Sequence, residues 1–415
     1  MTRAPRSDFE LDVKLKPGKD GPARAGHPWI FSGAIAELTG AEEPGAFARV
    51  VSADGQPLGV GTYNPRGSIA VRFLSRVEEP IDGALVRRRV AEAHALRVAA
   101  RLDEGGGYRL LNGEGDGLPG VVADVYGRYA VVQIVTAGAE RLRDAIVDAV
   151  GDVVGTEGVF ERSTGGARRD EGLADRVGVA RGGEPPARIE IREGRARLLV
   201  DVRGGQKTGF FLDQRANRAL VARLARGRRV LNAFAYTGAF GVAAALGGAA
   251  HVTSVETSGP ALALAREIWA LNELPEAGSE WVAGDAFDVL ADARTAGRFD
   301  LIVLDPPPFA RHRTDRERAV RAYRDLNRRA LRALEPGGLL LTCSCSPHVA
   351  ADAFLHAVAT SGAAGMRLQV LRSLGADLDH PVLAAHPEGQ YLKALLVRAT
   401  VDGGAGPATG GNAGG

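Results

Sequence analysis

The sequence predicts an α/β fold: a Rossmann-like, doubly wound parallel sheet in the C-terminal half, preceded by a small β-barrel and a central α+β unit. Three observations carry this expectation. From about residue 191, apolar strand-like runs alternate with helical stretches, the pattern of a parallel sheet covered by helices. Residues 1–75 hold short apolar runs separated by turn signals, as in "FARVVSADGQPLGVGTYNP". Residues 76–190 mix a long helix with several strands.

In the first stretch, "SIAVRFLS" supplies a further strand after the "ADG" turn. The second opens on the helical "GALVRRRVAEAHALRVAARL". The strands "GVVADVYG" and "YAVVQIVT" follow, then a helix around 139–150, then the strand "VGTEGVFERS" before a basic, Gly-rich loop. In the third stretch, "RRVLNAFAYTGAF" reads as strand, turn and helix start. "HVTSVETS" is a strand and "PALALAREIWALNEL" a helix. "SEWVAGDAF" and "FDLIVLDPPPF" are strands separated by helical residues 287–295. "AVRAYRDLNRRALRAL" is a helix and "GGLLLTCSCS" a strand. "MRLQVLRSL" and "GQYLKALLVRAT" flank an irregular loop, consistent with an antiparallel edge. The expected domains are 1–75, 76–190 and 191–400, with a disordered Gly/Ala-rich tail at 401–415.

At 415 residues the chain is long enough for two or three domains, and 45% hydrophobic with 25% charged residues is ordinary for a globular protein. It has no apolar run of about 18 residues or more, so no transmembrane helix is expected. The start "MTRAPRSDFELDVKLKPGKDG" lacks the apolar core of a signal peptide, which suggests a cytoplasmic protein. A net charge of +2 does not by itself point to nucleic acid. The two cysteines, Cys343 and Cys345, lie together in "LLTCSCSPHV". They cannot build a disulfide framework and are poorly placed to pair with each other. Thiol chemistry, metal binding and chance remain as explanations.

Ligands of such sheets lie at the carboxyl ends of the strands. The first turn, "NAFAYTGAF", has a single glycine, Gly238, where a dinucleotide fingerprint has three. S-adenosylmethionine fits better, because it has a ribose and an adenine but no phosphate, and its sulfonium and amino group suit acidic side chains. Glu256 ends the second strand about 20 residues past the first turn, where an acid can hold ribose hydroxyls. Asp285 in "AGDAF" could accept from the adenine amino group, and Asp305 ends the fourth strand in "DPPPF". One acid at a strand end is usually a helix N-cap. Three in succession, beside a single-glycine turn, favour a ligand site.

The segments "TGFFLDQRANR", "VLNAFAYTGAF", "VETS", "LIVLDPPPF", "LLTCSCS" and "DHPVLAAHPEGQYLKA" resemble the bacterial 23S ribosomal RNA large subunit methyltransferase I family. Members of that family make 5-methylcytosine with S-adenosylmethionine. "AGHPWIFSGAI" resembles its N-terminal PUA RNA-binding domain and "LLNGEGDGLPGVVADVYG" its central domain, so the likeness spans nearly the whole chain. It implies a class I methyltransferase domain with cofactor contacts at Gln214, Phe234, Tyr236, Thr237, Gly238, Glu256, Thr257, Asp285, Ala286 and Asp305. One departure is Pro308, where the family usually has a lysine after "DPP"; a positive charge near the target base or its phosphate is then absent.

The implied chemistry explains a cysteine. C5 of cytosine is a poor nucleophile until a thiolate adds to C6. Cys345 stands at the position of the family's catalytic cysteine, past the end of the fifth strand. Asp305 is the candidate to protonate or hydrogen-bond N3. Cys343 falls inside the strand and reads as a small buried hydrophobe. A C-x-C metal site would need more ligands than the nearby His348, so no metal is expected.

Nine arginines and three acids lie between residues 311 and 332. Arg321, Arg324, Arg328 and Arg332 recur at helical spacing, with Tyr323, Ala330, Leu331 and Leu334 on another side. The choice is between a solvated face and a phosphate-binding ridge. Arg162, Arg168 and Arg169 in "RSTGGARRDEG", and Arg24, His27 and Trp29 near the N-terminus, add RNA-facing candidates. The expected partner is large-subunit ribosomal RNA, with no membrane, and a homodimer is carried as an option. Rival readings are a guanine N-methyltransferase on the same fold, a non-catalytic RNA-binding or ribosome-assembly factor and, more remotely, a nicotinamide oxidoreductase.

Overall fold

The computed structural model describes residues 9–310 and 312–401, so the expected tail lies outside the described residues apart from Val401, the last residue of a strand. The chain forms two compact units. One comprises the residues through Arg192 with Leu199–Leu212 and Asp377–Gly389; the other comprises Glu193–Leu198, Asp213–Ala376 and the residues from Gln390 onward.

The first unit begins with β1 (Leu11–Leu15), α1 (Gly21–Arg24), β2 (Trp29–Phe31), β3 (Ile35–Gly40), β4 (Ala46–Val51), β5 (Pro57–Tyr63) and β6 (Ile69–Ser75). These strands form a six-stranded sheet in the order β2-β6-β5-β4-β1-β3, antiparallel except where β1 meets β4. In β4, Ala46, Ala48 and Val50 are buried and the residues between them only partly so, the alternation of a sheet with one face on a core. That core gathers Leu11, Val13, Leu15, Val50, Val71 and Phe73.

The unit continues with α2 (Gly83–Ala99), β7 (Gly107–Asn112), β8 (Val121–Tyr126), β9 (Tyr129–Ile134), α3 (Ala137–Arg141), α4 (Arg143–Val154), β10 (Gly158–Ser163), α5 (Gly166–Asp170) and β11 (Arg176–Gly182). The strands order as β11-β10-β9-β8-β7. Asp82 starts α2 by accepting from Ala84 N and Leu85 N, and α2 buries Leu85, Val86, Val90 and Ala93. The single helix expected at 139–150 is two, α3 and α4, which meet at Leu142. Helix α4 also takes Val154 from the expected strand and ends at Gly155, whose φ of 73° is the left-handed cap glycine tolerates. The basic, Gly-rich loop contains α5, and β11 follows it. A two-stranded ribbon follows, β12 (Ile189–Glu193) and β13 (Ala196–Val200).

The second unit carries α6 (Arg215–Leu224), β14 (Arg229–Ala233), α7 (Ala239–Leu246), β15 (His251–Glu256), α8 (Gly259–Leu271), β16 (Ser279–Ala283), α9 (Ala286–Ala291), β17 (Phe299–Leu304), α10 (Arg316–Ala333), β18 (Leu334–Ser344), α11 (Ala351–Ala359), β19 (Met366–Leu374) and β20 (Lys393–Val401). Its sheet runs β16-β15-β14-β17-β18-β20-β19. The strands from β16 to β18 are parallel, and β20 is antiparallel to both β18 and β19. Leu301, Ile302, Val303 and Leu304 of β17 are fully buried, as expected of a central parallel strand with both faces covered. The order reverses between β14 and β17, which makes their carboxyl ends the switch point where such sheets bind ligands. The α/β Rossmann-like expectation is met, antiparallel edge included. No helix among the described residues is long and apolar enough to cross a membrane.

Candidate active site

The turn after β14 is built under constraint. Phe234 and Tyr236 have φ of 60° and 47°, and Gly238 has 78°. Two non-glycine residues in the left-handed region so close together need support from their surroundings. Glu256 at the end of β15 supplies it: Oε2 accepts from Tyr236 N at 2.8 Å, and Oε1 accepts from Ser258 N at 2.9 Å and from Thr257 Oγ1 at 3.3 Å. The acid expected to hold a ribose therefore also locks the first turn to the second strand. Each carboxylate oxygen can accept more than one hydrogen bond, so ribose hydroxyls remain compatible. Gly238 opens α7, and a Cβ there would come within 2.9 Å of Ala265 Cβ, so a side chain would be crowded as well as strained.

The donor set suits S-adenosylmethionine. Thr237 Oγ1 is buried at the turn without a protein partner, the condition of a hydroxyl reserved for a ligand or water. Asp285 is exposed, and its Oδ1 caps α9 by accepting from Phe287 N at 2.7 Å. It is thus an N-cap as well as a ligand candidate. Ala286 beside it is buried, and Thr257 beside Glu256 is exposed.

Gln214 Nε2 donates to Asp305 Oδ1 at 2.9 Å, and Asn217 Nδ2 in turn donates to Gln214 Oε1 at 2.5 Å. This chain fixes the Gln214 amide and aims a donor at the acid that ends β17. Gln214, Asn217 and Asp305 thus come together, although 91 residues separate the first from the last.

Strands β17 and β18 run parallel with Leu304 opposite Thr342, so Asp305 and the cysteines leave the same edge of the sheet. Cys343 is fully buried, and burial, with the charge of Asp305 adding to it, pushes its thiol well above the usual range. Burial of this kind favours the protonated, less reactive form of a cysteine. Cys345 lies just beyond β18, half-buried, with Sγ donating to Pro306 O at 3.6 Å. That contact sets the thiol beside the loop that begins at Asp305.

Ser346 Oγ accepts from Phe309 N at 2.9 Å and Ala310 N at 3.2 Å, and lies 2.9 Å from Tyr323 Oη. Phe309 packs on Tyr323 with ring centroids 4.7 Å apart, and on Phe287 at 6.0 Å. Lys393, at the start of β20, donates from Nζ to Ser346 O at 2.7 Å and to Tyr391 O at 2.8 Å. Sequence reasoning singled out neither Tyr323 as a site residue nor Lys393. The signal for Lys393 was compositional: in a chain whose basic residues are nearly all arginines, it is one of five lysines. Among the described residues no group of three or more His, Cys, Asp or Glu side chains could hold a metal ion, and His348 is exposed.

In the second unit, Arg321, Arg324, Arg328 and Arg332 are all exposed along one face of α10, while Tyr323, Ala330 and Leu331 are buried. Arg328 pairs with Asp325, and Arg321 lies 3.8 Å from Glu317. Arg328, Arg329 and Arg332 also line a cavity of about 620 Å³ with Asp292 and Thr295.

In the first unit, Arg24 is exposed and bonded to Asp20. Trp29 Nε1 donates to Glu114 at 2.8 Å, and its ring lies 4.3 Å from His386 and 5.8 Å from His27. Arg162 is half-buried and donates to Val202 O at 3.3 Å, and Arg169 is exposed and pairs with Asp175. Arg168 corrects the RNA-facing expectation. It is 2% exposed, pairs with Glu140 at 2.8 Å and donates to Ile134 O at 2.6 Å, so it serves the interior. Its partner lies 28 residues upstream, which no local pattern discloses.

The chain resembles known methyltransferases. Residues 173–398 match the S-adenosylmethionine-dependent methyltransferase family model, and residues 13–76 match that of a PUA-like domain. The chain is 39% identical over 400 residues to the ribosomal RNA large subunit methyltransferase I of Alteromonas mediterranea, covering 95% of this chain and all of that one. It is 41% identical over 393 residues to the protein of that name from Shewanella frigidimarina, covering 94% of this chain and 99% of that one. Among solved structures it resembles a putative S-adenosylmethionine-dependent methyltransferase from Streptococcus mutans, with a TM-score of 0.80 and 24% identity over 93% of this chain and 99% of the other. A putative methyltransferase complexed with SAH gives 0.82, again at 24% identity and with the same coverage of both chains. These two likenesses establish the fold.

Proposed function

The chain belongs to the S-adenosylmethionine-dependent ribosomal RNA large subunit methyltransferase I family, and from that membership we propose that it methylates C5 of a cytosine through a covalent adduct with Cys345. S-adenosylmethionine is its cofactor and large-subunit ribosomal RNA its substrate class. The observation that carries the finer reading is the contrast between the two thiols: Cys345 is half-buried beside the Asp305 loop, and Cys343 is sealed in the strand. A guanine N-methyltransferase would have no use for that thiol.

In this reading the Cys345 thiolate forms a bond to C6. The C5–C6 π pair becomes available at C5 as Asp305 donates a proton or hydrogen bond to N3. When bound, S-adenosylmethionine would supply the electrophilic methyl group that bonds to C5, its sulfonium becoming a neutral thioether. A base then takes the C5 proton, the C6–S bond breaks, the thiolate returns, and N3 gives back to Asp305 the proton it took. Glu256 and Asp285 orient the ribose and adenine, Gln214 orients Asp305, and the Phe234–Gly238 turn with Thr257 and Ala286 completes the cofactor contacts. We assign residues 1–75 to the PUA-like domain, 76–190 to the central domain and 191–400 to the methyltransferase. Arg24, Trp29, Arg162, Arg321, Arg324 and Arg328 are assigned to RNA. The protein acts in the cytoplasm, as monomer or homodimer, a choice that sedimentation decides. Mapping 5-methylcytosine in ribosomal RNA from cells with and without the protein tests the assignment. One cytosine should lose its methyl group in the deletion, and an unchanged map would refute it.

A further inference from the structure

We propose that Lys393 is the counter-ion that holds Cys345 as a thiolate. The proposal deepens the assignment of Cys345 as nucleophile and rests on it. Strands β18 and β20 pair antiparallel with Ser344 opposite Lys393, so the lysine is directly across the ladder from the residue before Cys345. Its Nζ then reaches the carbonyl of Ser346, the residue after Cys345, at 2.7 Å, and the carbonyl of Tyr391 at 2.8 Å. Lys393 thus meets the chain on both sides of Cys345, its backbone paired with Ser344 and its amine bonded to Ser346. Two of its N–H groups are spent on neutral carbonyls, which leaves the third and the net charge to an anion.

The electrostatics agree with that geometry. Burial pushes the Lys393 ammonium down to about 8, and negative charge on Cys345 pushes it back up. Coupling of this kind is reciprocal: if the thiolate favours the ammonium, the ammonium favours the thiolate by the same free energy. Titratable groups close to this pair include Asp305 and Asp213, which raise the Cys343 thiol, Tyr323 from α10, which feels Cys345, and Tyr391, which donates to Asp213. The carboxylates and the phenols carry no positive charge, so they give a thiolate no compensation. Lys393 does.

The step is a proton transfer that needs no other reactant. Cys345–SH gives its proton to the neutral Lys393 amine, leaving a thiolate and an ammonium. The thiolate is the species that adds to C6. A lysine suits this task, because its compact amine can be bonded to two carbonyls and still lose or gain a proton, whereas arginine stays charged.

The test is the pH dependence of Cys345 alkylation by iodoacetamide in the full-length protein, with mass spectrometry separating Cys345 from Cys343. In the unmodified protein the midpoint should lie below the ordinary thiol value of about 8.5. In Lys393→Gln the midpoint should rise, and alkylation near neutral pH should slow about tenfold for every pH unit of that rise. Lys393→Arg should restore a low midpoint. A purely structural lysine would lower activity in Lys393→Gln without moving the midpoint, and that result overturns the proposal. A midpoint at or above about 8.5 in the unmodified protein overturns it as well, even if Lys393→Gln does not fold. Failure of the nucleophile assignment is read separately: Cys345→Ala would then keep methyl transfer, whatever the alkylation midpoints.

Discussion

Tyr323 Oη lies 2.9 Å from Ser346 Oγ, and this hydroxyl pair joins α10 to both loops of the candidate active site. Ser346 Oγ already accepts from Phe309 N and Ala310 N, so its own proton is directed to Tyr323. Helix α10, the proline loop after Asp305 and the segment after Cys345 thus meet on one side chain. Ser346→Ala should leave two backbone donors unsatisfied and cost about 1–3 kcal/mol, with a larger loss in kcat than in cofactor affinity. Tyr323→Phe should cost about 0.5–1.5 kcal/mol. Urea unfolding and single-turnover rates read both. Equal stability of the two variants and the parent would remove the pair from the account.

Asp285 has two tasks that substitution can separate. Asp285→Asn keeps an oxygen to cap α9, whereas Asp285→Ala loses the cap at about 0.5–2 kcal/mol of stability. If Asp285 also accepts from the adenine, Asp285→Ala should weaken S-adenosylmethionine binding by roughly five- to a hundred-fold in calorimetry. No heat with NAD is expected. Full affinity in Asp285→Ala would leave the residue as a cap alone.

The exposed face of α10 should touch phosphate. Replacing Arg321, Arg324 and Arg328 together with Gln should weaken RNA binding and reduce the log–log salt slope by about 0.7–0.9 per lost contact. Arg328 and Arg321 have acidic neighbours on the same helix, so their share should be smaller than that of Arg324. Filter binding across a salt series gives the slope. An unchanged slope would identify a solvated face.

The parallel sheet was legible because its signals are local. The apolar run "FDLIVL" followed by an acid marks a buried strand reaching a ligand edge, and β17 is that strand. The periodicity of the arginine helix likewise separated its exposed from its buried positions. What stayed hidden depends on distant pairing. Lys393 reaches the Cys345 loop only because β20 inserts antiparallel between β18 and β19, a register with no local marker. Arg168 looked like its exposed neighbour Arg169, and only the fold supplies Glu140. The segment "DHP" resembled a motif of the family without disclosing its partners: Asp379 belongs to the first unit, where its Oδ2 accepts from Arg109 N at 3.0 Å.

In that first unit, Arg97 and Asp116 form a buried pair with bonds of 2.5 and 2.8 Å, and Arg97 also donates to the carbonyls of Arg109 and Asp379. Arg97→Met should cost about 3–5 kcal/mol by leaving the Asp116 charge without its cation. Arg97→Met with Asp116→Leu should recover much of that loss. Denaturation of the double variant and of each single one, Arg97→Met and Asp116→Leu, tests the pair. A double variant as unstable as the sum of the single ones would show that no coupling exists.

The covalent mechanism is decided by trapping with ribosomal RNA fragments that carry 5-fluorocytosine at the target. Fluorine cannot leave C5 as a proton does, so the adduct between the thiol and C6 should persist through a denaturing gel in the presence of S-adenosylmethionine. The unmodified protein and Cys343→Ala should both form the band, and Cys345→Ala should form none while still binding cofactor and RNA. A band that survives Cys345→Ala and disappears in Cys343→Ala would reverse the assignment. Methyl transfer undiminished in both variants would contradict the covalent mechanism outright.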